Sequence, residues 1–237
     1  MKGKKSLKKI YYDKLLLKII HLFLFSILIL FLLFNRKCFK KKKIGVIGLQ
    51  HSQNIGNNLL KYAMFVTLSN LGYDPYIVGM RYYNHNMTFI QTVTKLVLIN
   101  TSYSEIKNNN FDILMVNSDQ TWRKWNIYNY KYFYDIAFLK FAEKWNIPKF
   151  VYGASMGINV WHYNNEDKKI AKLLLKNFTG ISVREKGTIK LIEKHLGIKP
   201  EFVLDPTLLI DKKYYIILYI MYIIYISLIY IIYIKYM

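Results

Sequence analysis

The sequence of 237 residues has a single cysteine, Cys38. One thiol cannot form an intramolecular disulfide, so nothing points to an oxidising compartment. No Cys/His zinc cluster and no Asp-x-Asp metal motif is present. Neither a GxGxxG fingerprint nor a Walker loop occurs, which removes the two best-marked nucleotide signatures. Acidic residues are scarce, 14 against 35 Lys and Arg, and the net charge is +21. No internal repeat interrupts the chain.

What is present is unevenly spread. Residues 1–43 hold 13 Lys and Arg with Asp13 as the only acid. These lysines flank Leu15 to Phe34, an apolar run broken only by Lys18, His21 and Ser26. Twenty helical residues span about 30 Å, the thickness of a bilayer core. Basic clusters around an apolar run point to an anionic membrane surface, and no nucleic-acid recognition motif is present. No small-residue cleavage site follows the run, which argues against a cleaved signal peptide. Lysines on both flanks leave a span without orientation. Lys14, Lys18 and His21 form a polar stripe, so an in-plane helix stands beside a span as a second reading. Cys38 sits in the basic run, where acylation and a plain free thiol are both open. The expectation is a membrane-associated protein with its main domain in the cytoplasm.

The chain is organised around residues 43–62. Ile44 to Leu49 is short, apolar and rich in β-branched residues, the pattern of a strand buried on both faces. Gln50 to Asn54 is polar. From Ile55 the period becomes 3.6, with Leu59, Leu60, Ala63, Met64 and Leu68 on one face and Gly72 as the stop. Strand, polar loop and helix open a βαβ unit. The start of such a helix offers free N–H groups to an anion. An ordinary turn with an asparagine cap fits the same residues.

Further strands are predicted at Tyr76–Met80, Phe111–Val116, Lys149–Tyr152, Gly180–Val183 and Phe202–Leu204. Helices are predicted at Met87–Ile99, Ile136–Trp145, Glu166–Phe178 and Arg184–Leu196. Alternation over residues 44–211 predicts a three-layer, Rossmann-like α/β domain with a mainly parallel sheet. Asn117 to Trp122 lies beyond a strand's carboxyl end, where open α/β sheets bind ligands. Residues 212–237 form a low-complexity Ile/Tyr tail. Its length suits a bilayer span, its tyrosine spacing suits a helical face, and its composition suits β-aggregation. Ile, Tyr, Lys and Asn have A/T-rich codons, so translation out of frame is a further reading.

Five stretches in one order resemble the polysaccharide pyruvyl transferase family. They are Asn54-Ile-Gly-Asn-Asn-Leu59, Ser118-Asp-Gln-Thr-Trp122, Tyr152-Gly-Ala-Ser-Met-Gly157, Ile181-Ser-Val-Arg-Glu-Lys186 and Val203-Leu-Asp-Pro-Thr-Leu208. The resemblance implies the first half of a GT-B-like fold, with a second domain expected soon after Asp205-Pro206. The tail stands there instead, which gives the expectation of a truncated chain with weak or no activity. An inactive membrane-attached remnant and a nucleotide-sugar glycosyltransferase are the alternative readings.

The implied reaction makes a cyclic ketal on two sugar hydroxyls from phosphoenolpyruvate, with no cofactor beyond that donor substrate. It needs cationic groups or helix N-termini for the donor and a general acid and base. Asp119 and His51 are the catalytic candidates. Asn54, Gly56, Asn57, Ser118, Gln120, Ser155 and Arg184 are the substrate-binding candidates. For Asp119 a turn cap, for Arg184 a structural ion pair and for His51 a surface position remain open. The expected partners are a glycan or lipid-linked sugar acceptor and a membrane, with no nucleic acid.

Overall fold

The computed structural model describes residues 40–49, 54–80, 93–124 and 132–235. The predicted membrane segment 15–34 and His51 lie outside the described residues. The chain divides after Lys40, and the fold belongs to the unit that follows.

Strand β1 (Lys43–Ile47) is buried on both faces, with Val46 and Ile47 sealed from solvent. It pairs in parallel with β2 (Asp74–Met80) on one side and β4 (Ile113–Val116) on the other. Gly45 is needed in its middle: a Cβ there would lie 2.8 Å from Phe111 Cδ2. The remaining strands are β3 (Leu96–Ile99), β5 (Lys149–Ala154), β6 (Gly180–Val183) and β7 (Glu201–Phe202). They form one parallel sheet in the order β3-β2-β1-β4-β5-β6-β7. With the helices α1 (Ile55–Asn70), α2 (Phe133–Phe138), α3 (Asn165–Leu175), α4 (Lys186–Leu196) and α5 (Lys212–Lys235), this is a Rossmann-like α/β fold.

Alternation along the strands divides the core. Ile113 and Met115 join Ile44, Val46 and Ile77 beneath Met64 and Leu68 of α1. Leu114 and Val116 point the other way, into a larger cluster with Phe133, Phe138, Leu175 and Ile192 from α2, α3 and α4. The predicted apolar face of α1 is the buried one, except that Leu59 is only partly covered.

Four predicted elements differ, among them the strand expected at Phe202–Leu204, which forms at Glu201–Phe202. Residues 96–99 of the helix expected at Met87–Ile99 form strand β3, and residues 87–92 lie outside the described residues. Leu-Val-Leu-Ile fits either class as a short apolar run; pairing with Ile77–Met80 decides it. The helix expected at Ile136–Trp145 starts earlier and stops at Phe138, because Leu139 turns left-handed (φ 52°, ψ 42°). Leu139 is fully buried, and that burial outweighs the roughly 1–2 kcal/mol of a left-handed residue. Arg184 stands outside α4, and Glu185, in extended conformation, is the residue before its first turn.

The Ile/Tyr segment forms α5, which docks near its start. Leu218 and the preceding Ile210 pack with Tyr62, Ala63 and Val66 of α1. The Tyr214 hydroxyl donates to Asn70 Oδ1 (3.2 Å) and the Tyr215 hydroxyl to the Thr207 carbonyl (2.6 Å). Beyond this contact Ile220, Ile223 and Ile224 are exposed. Among the described residues no helix is long and apolar enough to cross a membrane.

Candidate functional site

Strands β2 and β3 lie on one side of β1, and β4 onward on the other, so the strand order reverses between β1 and β4. The crevice beyond the carboxyl ends of these two strands is where such sheets receive ligands. Asn54 caps α1, accepting the Asn57 backbone N–H on Oδ1 (3.0 Å). It therefore does the capping work that the sequence left open. Gly56 follows in the first turn and is exposed. Asn57 faces inward, 3 % exposed, and its side-chain amide donates to Asp119 Oδ2 (2.9 Å).

Asp119 follows β4 with φ at 117°, a region costly for a residue with a Cβ. Its conformation is held from both sides. Its carbonyl accepts the Ser155 N–H (2.9 Å), extending the pairing of β4 with β5. Its Oδ1 accepts the Gln120 N–H (2.7 Å). The strained backbone thus turns the carboxylate toward α1 and toward Arg184.

Arg184 stands just past β6. Its guanidinium reaches Asp119 Oδ1 at 3.4 Å, Ser118 Oγ at 3.3 Å and, more closely, Asp205 Oδ2. One cation is shared by two carboxylates. The side chains of Arg184 and Asp119 are 19 % exposed and that of Asp205 26 %, so the pairs are screened far less than surface pairs. The structural ion pair and a place in the site are both realised.

Ser118 and Ser155 are buried behind this surface. The Ser118 hydroxyl donates to the Gly153 carbonyl (2.9 Å), and the Ser155 hydroxyl donates to Glu185 Oε2 (2.7 Å) while accepting the Gly157 N–H (2.8 Å). Both act as braces between strand ends. Gln120 accepts from Arg123 through Oε1 (3.0 Å) and lies over Gly157, where a Cβ would come within 2.6 Å of Gln120 Cδ. The structure therefore brings Asn54, Asn57, Ser118, Asp119, Gln120, Ser155 and Arg184 to one end of the sheet.

Three groups escaped the sequence reading. Lys61, one turn beyond Asn57, is buried, and burial lowers its ammonium to about 8 against the opposing pull of Asp119. A lysine among Leu60, Ala63 and Met64 on an apolar face was the available signal. Asn117 is 1 % exposed, and its Oδ1, like that of Asn57, is a buried acceptor without a partner among the described residues. Glu185 holds Ser155 and also accepts from Thr188 Oγ1 (3.2 Å). Among the described residues no group of His, Cys, Asp and Glu is placed to hold a metal ion.

The family model of polysaccharide pyruvyl transferases matches residues 54–236. The chain belongs to that family. The match to the polysaccharide pyruvyl transferases opens on the cap of α1 and runs through α5, so it contains every candidate residue except His51. No curated protein matches the chain. In this pyruvyl transferase family member, the five short stretches come together at the carboxyl-end side of one sheet. Their common feature is position after a strand: Asn54 after β1, Ser118 after β4, Ser155 after β5, Arg184 after β6 and Asp205 after β7.

Proposed function

We propose that this chain transfers the pyruvyl group of phosphoenolpyruvate, as a cyclic ketal, onto a sugar of a cell-surface polysaccharide. The observation that carries this is the Asp119 carboxylate, held by Asn57 and Arg184 at the carboxyl ends of the strands. Carboxylate oxygens accept from sugar hydroxyls, and the guanidinium suits an anionic donor.

In the reaction the methylene carbon of the donor gains a proton. The central carbon forms bonds to two sugar oxygens, its bond to the phosphate oxygen breaks, and phosphate leaves. Of the two hydroxyl protons, one balances the new methyl group and the other leaves with phosphate. Asp119 is the base for a sugar hydroxyl, and Arg184 attracts the donor's negative charge. His51, close in sequence to α1, is the second acid–base candidate. The acceptor is a glycan or lipid-linked sugar, reached at a membrane to which residues 1–43 bind the protein.

Purified full-length chain would be incubated with phosphoenolpyruvate and a glycan pool, and phosphate release followed. Release that needs both substrates and is lost in Asp119→Ala supports the reading. Release unchanged in Asp119→Ala, or none with any glycan, overturns it.

A further inference from the structure

Helix α1 places a lysine on its core side. Lys61 is 9 % exposed and lies four residues after Asn57, on the same helical face. Asn57 holds Asp119, and the Lys61 ammonium is within electrostatic reach of the same carboxylate. A buried cation is costly, and an apolar side chain of that length would stabilise the helix more. The position keeps its charge nonetheless.

The charge that acts on Lys61 belongs to a cluster. Asp119, from the loop after β4, shares Arg184, just past β6, with Asp205 of the segment after β7. From α5, Tyr215 faces Asp205 and Tyr62, and burial raises its hydroxyl so that it stays neutral. Two carboxylates and one guanidinium leave one negative charge in excess. A phosphate ester carrying a carboxylate would be repelled by that excess. A protonated Lys61 cancels it.

We propose that Lys61 is a positioning residue whose ammonium neutralises the Asp119–Arg184–Asp205 cluster and so admits a phosphate-bearing anion to the carboxyl ends of β1 and β4. Only the identity of that anion rests on the pyruvyl transfer reading. Lys61 holds its proton up to about pH 8, because burial lowers its affinity and Asp119 opposes the loss. Anion binding should therefore weaken above that pH.

The test measures binding of phosphoenolpyruvate and of inorganic phosphate by the full chain, with circular dichroism as the check on folding. Both anions are read at about pH 7.5 and about pH 9.5, on either side of Lys61. Wild type should lose about tenfold in affinity between the two, the scale of one unit charge in a partly buried site. Lys61→Met should bind about tenfold more weakly at the lower pH and show no further loss. Lys61→Arg, which keeps its charge, should bind well at both. Equal affinity in folded Lys61→Met and wild type overturns the proposal, and so does Lys61→Arg as weak as Lys61→Met. Wild type that binds neither anion also overturns it. Lys61-dependent binding of phosphate without phosphoenolpyruvate upholds the proposal and removes the pyruvyl donor. If Lys61→Met fails to fold, the wild-type pH profile and Lys61→Arg decide.

Discussion

Asn57 donates its side-chain amide to Asp119 Oδ2 across 2.9 Å, joining residues 62 positions apart. The contact links the first turn of α1 to the end of β4. It is the step at which the start of a helix and the loop after a strand become one site. Asn57→Ala removes the donor and leaves Asp119 with Arg184 and the Gln120 N–H. The expected loss is about 1–3 kcal/mol, or about 2–4 °C of Tm for each kcal/mol in a chain of this size. Phosphate release should fall at least about tenfold, since a misdirected base loses orientation as well as a partner. A thermal melt and the release assay on the same preparation check both.

Val46 is 1 % exposed in the central strand. Val46→Asp buries a carboxylate among Ile44, Ile77, Met64 and Leu68, and should cost more than about 4 kcal/mol. Cooperative melting at or above the wild-type temperature would contradict the placement of β1 at the centre of the sheet.

Gly153 has φ at +61°, and a Cβ on it would lie 3.1 Å from Ser118 Oγ. Gly153→Ala adds the left-handed cost of about 1–2 kcal/mol. It also presses on the hydroxyl that accepts from Arg184. Loss of activity should exceed loss of stability. Equal activity per folded molecule would show that Ser118 does not set the arginine's position.

Lys61 gives a stability signature of its own. Its folded value, about 8, lies below the ordinary 10.5. Below about pH 8 both folded and unfolded chains are protonated, and the full burial penalty is present. Between the two values the unfolded chain binds more protons, so this group makes stability rise with pH. The gap corresponds to roughly 3 kcal/mol at most. Lys61→Met should therefore melt higher than wild type at pH 7, and the difference should shrink toward pH 10.5. A difference that is constant with pH, or of opposite sign, would show that the lysine is solvated.

The parts of the fold that the residues declare locally are those with a one-sided or two-sided apolar signal. β1 and β4 announce themselves by runs buried on both faces, and α1 by its 3.6 period with Asn54 and Gly72 at its ends. β3 is not legible, because Leu96–Ile99 becomes a strand through β2, whose paired residues stand 19 positions earlier. The break at Leu139 is likewise set by the core and by nothing in its neighbours' identities. In the site, Asp119, Asn57 and Arg184 could be chosen because each follows a strand. Their mutual contacts could not, since separations of 62 and 65 residues carry no local pattern. Ser118 and Ser155 show the other gap: a motif marks the loop but not which way a hydroxyl points.

The contacts around the site close on themselves. α1 carries Asn57; Asn57 holds Asp119; Asp119 shares Arg184 with Asp205; the segment after Asp205 leads to α5, and Leu218 of α5 packs back on Tyr62, Ala63 and Val66 of α1. A ring responds to damage differently from a chain of contacts. After one cut, the freed ends are still held near each other by the long way round, so the broken link can re-form at little entropic cost. A second cut on the opposite side releases two independent arcs. Paired substitutions such as Asn57 with Leu218 should therefore cost more than their separate losses added together, although the two side chains do not touch.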